Sequence, residues 1–267
     1  MTASTAPDLL ATIVAAATRL TEVRRSAVSD SELERAASRC KPDGPAFVSA
    51  LRDGPAPRVI AECKRRSPSR GILRENYRPA DHAASYAAAG AAAISVLTEP
   101  TFFDGALEHL QQVRAAVTVP LLRKDFIVDR YQILEAVASG ADAVLLIVGA
   151  LTPVRLRALI HDAAALGVAA LVEVHDAAEL TIAVDAGATV IGVNSRNLRT
   201  LAVDRRVHDD LAAQMPASAV SVAESGLREY ADLERLGGLG YRAFLVGERL
   251  ISEGDPGAAL AALRGRA

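Results

Sequence analysis

From residue 59 onward, eight short runs rich in β-branched and apolar residues recur along the chain, at 59–64, 93–97, 119–124, 143–148, 169–174, 190–194, 219–224 and 243–247. Their starts lie 34, 26, 24, 26, 21, 29 and 24 residues apart, and the intervening stretches are rich in Ala and Leu with charges at helical spacing. Each interval accommodates a strand, a helix and two connections, the pattern of repeated βα units. Gly90, Gly140, Gly167 and Gly187 close four of the helical stretches, where a left-handed residue ends a helix before the next strand. The length of 267 residues matches the roughly 250 of a single (β/α)8 barrel. An open doubly wound sheet is the rival architecture, but the Gly-x-Gly-x-x-Gly dinucleotide signature is absent. The expected fold is therefore α/β, a closed (β/α)8 TIM barrel over 58–267 with an N-terminal helical extension over 1–57.

In that extension Leu9, Leu10, Ile13, Val14 and Ala17 recur at helical spacing. A second helix is expected from Ser29-Asp30-Ser31, with Glu32 and Glu34 favouring the positive end of its dipole. The extension can act as a plug beneath the barrel or as a lid beside its mouth, and the pattern does not choose between them. The first twenty residues lack an early positive region and read poorly as a targeting signal.

A 51% hydrophobic content with 23% charged residues suits a large buried core and argues against disorder. The formal net charge of -2, with cations spread along the chain, gives no general reason to bind nucleic acid or an anionic membrane. No stretch approaches about 20 uninterrupted apolar residues. Cys40 and Cys63 are the only cysteines, too few for a disulfide framework. A cytoplasmic location is expected.

Barrel chemistry sits at the C-terminal ends of strands, so charges there carry information. In Ile60-Ala61-Glu62-Cys63-Lys64 the period of two puts Glu62 and Lys64 on one face and Cys63 on the other. The third run ends in Leu122-Arg123-Lys124-Asp125, and the fifth holds Glu173 within Leu171-Val172-Glu173-Val174. A carboxylate among apolar neighbours needs a partner, and Lys124 is the obvious one. Such a pair can supply a general acid and a general base. Asn194 and Arg196 share a parity after the sixth run, and Glu224 ends the seventh. One such charge is often a plain solvated cap, but five strands converging on one mouth are not.

Loops after the last two strands commonly bind phosphate in barrels, and Ser225-Gly226 and Gly247-Glu248 occupy those places. Glycine lets backbone N–H groups approach an anion, and Ser225 adds a hydroxyl donor. The loop Arg65-Arg66-Ser67-Pro68-Ser69-Arg70-Gly71 adds cations and hydroxyls beside them.

These segments resemble the indole-3-glycerol-phosphate synthase family over about residues 58–252. The most specific are the whole stretch from Ile60 to Gly71, Leu122-Arg123-Lys124-Asp125-Phe126-Ile127-Val128, Leu171-Val172-Glu173-Val174-His175, Ile191-Gly192-Val193-Asn194-Ser195-Arg196-Asn197-Leu198 and Ala223-Glu224-Ser225-Gly226. The resemblance implies a tryptophan-pathway carboxy-lyase that closes an indole ring on a phosphorylated small molecule, with no organic cofactor or metal. The five histidines show no ligand spacing, in keeping with that implication. It further implies Lys124 as general acid, Glu173 as general base, Lys64 in binding and protonation, and Glu62 and Asn194 in support. The order in which the two lysines act stays open. Ser67 and Arg196 are implied at the substrate carboxylate and Phe126 over its ring, though Phe126 reads equally as ordinary core packing, and Glu224 reads equally as site organiser or structural ion pair. Two alternatives remain: a phosphoribosylanthranilate isomerase-like barrel dependent on a cysteine, and a non-catalytic barrel binding a phosphorylated ligand. Association with other tryptophan-pathway enzymes is left open by the sequence.

Overall fold

Each apolar run becomes a strand in the computed structural model, which describes residues 8–266. Residues 1–7, part of the stretch read above for a targeting signal, and Ala267 lie outside the described residues. The barrel strands are β1 (Val59–Cys63), β2 (Ala93–Leu97), β3 (Leu121–Lys124), β4 (Ala143–Ile147), β5 (Ala169–Val174), β6 (Val190–Asn194), β7 (Val220–Glu224) and β8 (Ala243–Val246). They pair in parallel in chain order, and β1 bonds both β2 and β8, so the sheet is closed and the open-sheet rival is excluded. Strand β3 begins two residues later than expected, just after Pro120, which has no N–H for a ladder. Strands β1, β4 and β8 each stop one residue early, which leaves Lys64 and Gly247 in the loops of the mouth.

The helices are α1 (Leu9–Ala27), α2 (Asp30–Ala37), α3 (Gly44–Arg52), α4 (Pro79–Ala88), α5 (Pro100–Phe103), α6 (Leu107–Ala116), α7 (Arg130–Ala138), α8 (Pro153–Ala165), α9 (Ala177–Asp185), α10 (Arg206–Ala212), α11 (Tyr230–Gly238), α12 (Glu248–Ile251) and α13 (Pro256–Leu263). Gly90, Gly140, Gly167 and Gly187 take the left-handed conformation expected of them, with φ between 75° and 90°. Strand parity separates two cores. Val59, Ala61, Cys63, Val172 and Val174 pack outward against the helices. Ile60, Leu122, Leu145, Leu171, Val222 and Leu245 fill the barrel interior.

The extension contains a third helix, α3, that the sequence pattern did not announce, and it explains why plug and lid were hard to separate. Phe47 and Leu51 of α3 are fully buried in the interior core. The Gly44 N–H donates to the Gly167 carbonyl at 3.0 Å, at the start of β5, and a Cβ on Gly44 would lie 2.6 Å from the Ala169 nitrogen. Helix α3 therefore plugs the N-terminal end of the barrel. Helix α1 lies at the opposite end, where Leu10, Ile13 and Ala17 join the cluster containing Phe126 and Ile147. Between them α2 packs against α7, its N-terminus closed by a reciprocal Ser29–Glu32 capping box.

Candidate active site

The inward parity of β1, β3, β5, β6 and β7 stacks apolar residues below and polar ones above. At the C-terminal end Glu62, Lys64, Lys124, Glu173 and Asn194 line one cavity of about 590 Å³. The expected binding residues Ser67, Phe126, Arg196, Glu224, Ser225, Gly226, Gly247 and Glu248 line the same cavity.

Lys124 stands at the centre of the cluster. Its Nζ is 3.7 Å from Glu173 Oε2 and 4.0 Å from Glu62 Oε2, and Lys64 Nζ is 2.6 Å from Glu62 Oε1. The end of β3 that carries Lys124 is anchored from behind by the outward-facing Arg123, which is fully buried. Arg123 bonds Asp125 at 2.9 Å, Glu135 of α7 at 3.2 Å and the Thr98 hydroxyl at 3.0 Å. A charge pointing away from the mouth thus determines where the next residue points into it.

Two glycines make room for carboxylates. A Cβ on Gly192 of β6 would collide with Glu224 Oε1, and one on Gly247 would collide with Glu62 Oε1. Gly247 therefore does more than open a backbone to an anion: it lets Glu62 lie flat against the start of the loop after β8. Gly247→Ala is expected to displace the Glu62 carboxylate, and with it Lys64, and to lower kcat/KM by roughly 100-fold, the typical cost of an ångström-scale misplacement. Steady-state kinetics check this against Gly237→Ala, whose added methyl meets nothing within 4 Å. Equal activity in the two variants would refute it.

The electrostatics divide the three buried carboxylates. Burial pushes Glu173 up, but Lys124 and His175 outweigh it and hold it down at about 2. Glu62 is likewise lowered, burial being overcome by Lys64 and Lys124. Glu224 goes the other way: burial, then the neighbouring Glu173 carboxylate, push it well above the usual range. Among the described residues no cation lies within 4.0 Å of Glu224, which removes the structural ion-pair reading. Burial alone would depress the Lys124 ammonium, yet Glu173, Glu62 and Glu224 together raise it above the usual lysine range.

Around this cluster the loops supply anion-binding groups. Ser225 and Gly226 both take left-handed φ, 64° and 71°, a strained conformation for the serine. The Glu248 carboxylate cannot itself attract an anion. It instead lies 2.9 Å from Arg70 Nε and 3.7 Å from Arg196, an ion-paired link between the loops after β1, β6 and β8. The Asn194 side-chain oxygen accepts the Arg196 N–H at 2.9 Å. Ser67 is buried, with its hydroxyl 3.3 Å from that of Ser69. Phe126 is both core and cavity wall, 6.2 Å from Phe103.

Two contributors escape the strand-end pattern. Phe103 reaches the cavity because Glu99 caps α5, accepting the N–H groups of Thr101, Phe102 and Phe103. His175 stands against Glu173, and its parity two residues beyond Glu173 was the available signal. Cys63 faces away from the cavity, its Sγ 3.9 Å from the Pro79 carbonyl, and burial pushes its thiol far up. A cysteine-dependent isomerase has no thiol at this mouth.

Fold and site define a (β/α)8-barrel protein with an acid–base cluster at its C-terminal face. Solved barrels share the architecture at low identity: a 3-hexulose-6-phosphate synthase from Salmonella typhimurium (TM-score 0.61, 14% identity, 78% of this chain and 97% of that one) and an N-acetylmannosamine-6-phosphate 2-epimerase from Clostridium perfringens (TM-score 0.59, 13% identity, 76% and 90%). A model of the indole-3-glycerol phosphate synthase family matches residues 10–263. The chain is 48% identical over 257 residues to indole-3-glycerol phosphate synthase 2 of Streptomyces coelicolor, covering 96% of this chain and 99% of that one. It is 49% identical to indole-3-glycerol phosphate synthase of Sulfurimonas denitrificans, over 85% of this chain and 86% of that one. The protein belongs to the indole-3-glycerol phosphate synthase family.

Proposed function

We propose that the protein converts 1-(2-carboxyphenylamino)-1-deoxyribulose 5-phosphate to indole-3-glycerol phosphate, releasing carbon dioxide and water. The observation that carries this reading is the Lys124–Glu173 pair, 3.7 Å apart inside a cavity that also holds Arg196 and the Ser225-Gly226 turn. Arg196, with Ser67 beside it, engages the substrate carboxylate, Phe126 covers the aromatic ring, and Ser225, Gly226 and Gly247 receive the phosphate. Glu248 holds Arg196 and Arg70 in place.

In the first step the ring carbon attacks the sugar carbonyl, and Lys124 delivers a proton to the developing alkoxide. The raised basicity of Lys124 does not prevent this, because an alkoxide is far more basic than an amine. Loss of the carboxylate as carbon dioxide follows. Glu173 then removes a proton as the hydroxyl leaves as water, with Lys64 protonating the departing oxygen and Glu62 and Asn194 holding the groups in register. A coupling between the steps is built into the pair. Glu173 is a weak base while Lys124 is charged beside it, and it gains basicity once Lys124 has given up its proton.

Residues 58–267 carry this chemistry, while α3 closes the barrel's lower end and α1 borders its mouth. A cytoplasmic place of action, without nucleic-acid or membrane partners, belongs to the same proposal. The direct test is conversion of the carboxyphenylamino sugar phosphate by the pure protein, followed by the appearance of indoleglycerol phosphate. Turnover of phosphoribosylanthranilate instead, or of neither compound, would overturn it.

A further inference from the structure

Strand β5 runs past Glu173 to Val174, and the next residue, His175, turns the same way as Glu173. His175 Nε2 lies 3.3 Å from Glu173 Oε1, and Nδ1 lies 3.0 Å from Glu179 Oε2. Glu179 sits in the first turn of α9 and also accepts the backbone N–H of His175 at 2.8 Å. Gly149, just after β4, leaves space for it, since a Cβ there would lie 2.8 Å from Glu179 Oε1. His175 does not line the cavity. It stands beside Glu173 and outside the cavity lining.

We propose that His175 is a positioning residue: clamped between Glu179 and Glu173 as an imidazolium, it holds the Glu173 carboxylate in the orientation from which it takes the substrate proton. The inference rests on the reading of Glu173 as the base.

Each ring nitrogen faces a carboxylate oxygen. A neutral imidazole donates from one nitrogen only, so one of the two carboxylates would face a lone pair. Nε2 and Glu173 Oε1 are both buried, 3.3 Å apart, and neither has a hydrogen-bond partner, so the contact between them is one of charge. Burial favours the neutral ring, but Glu173 and Glu179 outweigh it and push its pKa up to about 10. The other groups facing Glu173 are Lys124 from β3, Asn194 from β6 and the carboxyls of Glu62 and Glu224 from β1 and β7. His175 is thus one of two cations set directly against Glu173. Its removal raises Glu173, and the sign follows: the acid limb of activity, where the base is lost by protonation, moves to higher pH.

A helix-start contact between Glu179 and the His175 backbone would exist without any such role, so the test must read more than stability. Ring-nitrogen NMR of the wild-type protein at pH 8 is expected to show both nitrogens of His175 protonated. In His175→Gln and His175→Ala, kcat is expected to fall about 100-fold in the alanine variant, with KM nearly unchanged. Gln keeps a donor towards Glu173 and recovers part of kcat. In both variants the acid limb of kcat shifts up by about one unit. A neutral ring at pH 8, or an acid limb that stays in place while kcat falls, overturns the proposal. If the alanine variant does not fold, the glutamine profile decides. If the wild-type protein makes no indoleglycerol phosphate, the functional reading fails, and the ring-nitrogen measurement still decides whether the clamp exists.

Discussion

Replacing Lys124 with alanine is expected to lower kcat for the carboxyphenylamino sugar phosphate by about 100- to 10,000-fold, the usual contribution of a positioned general acid. The size follows from the absence of a substitute. Lys64 is the other lysine lining the cavity, and Glu62 holds it at 2.6 Å. The alanine variant also leaves Glu173 and Glu62 buried without the cation between them, and Glu173 will regain basicity as a result. A second variant therefore separates charge from proton donation. Lys124→Arg keeps a cation against both carboxylates, but a guanidinium does not give up its proton under these conditions. Turnover should be lost in both variants, while thermal unfolding should stay near wild type only in the arginine one. Full turnover in either variant would remove Lys124 from the first step.

Glu173→Gln is expected to cost a similar factor of about 100 to 10,000 in the overall rate, but at a different point in the reaction. The amide is nearly isosteric and leaves the cavity its shape. In the proposed mechanism ring closure and decarboxylation do not need the base, whereas loss of water does. Single-turnover mixing should therefore release carbon dioxide while indole absorbance lags behind it. Simultaneous slowing of both signals would place Glu173 in the first step instead. The pH dependence carries its own sign. Glu173 is lowered to about 2 in the folded protein, so it contributes stability above the unfolded carboxylate range, lost as pH falls through about 2. His175 is raised to about 10, so its contribution is complete below the unfolded imidazole range and is lost as pH rises through about 10. Glu173→Gln weakens both, since each group owes much of its shift to the other. Urea titrations of the two proteins should differ most between the unfolded carboxylate and imidazole ranges, 4.5 to 6.5, and converge at the acid extreme.

The arginine beside Lys124 shows how an ordinary strand rule hides part of the site. Arg123 and Lys124 are adjacent charges at the end of one apolar run, and a period of two sends them to opposite faces. The need of Glu173 for a cationic partner pointed to Lys124. It did not reveal that the outward one would be fully buried and tied to Asp125, Glu135 and Thr98, because those partners come from three different segments. Gly247 is similar. A glycine in the last βα turn reads as room for a phosphate, and only the closure of β8 against β1 shows the Glu62 carboxylate resting on it.

The sequence by itself determined the architecture and most of the cast. Eight βα units at near-constant spacing leave few ways to bury eight apolar strands, and a local period of two is enough to put Glu62 with Lys64, and Asn194 with Arg196, on one face of their strands. Both signals are local, arising from residues a few positions apart. The tertiary structure alone decided which of those residues meet. Lys124 and Glu173 lie on β3 and β5, which are not neighbours in the sheet, and they come within 3.7 Å because the closed barrel turns their strand ends toward one axis. It also decided that α1 borders the mouth while α3 plugs the base, and that Glu179 reaches back to His175. Distances across a closed barrel depend on its curvature, and no pattern within a single strand records that.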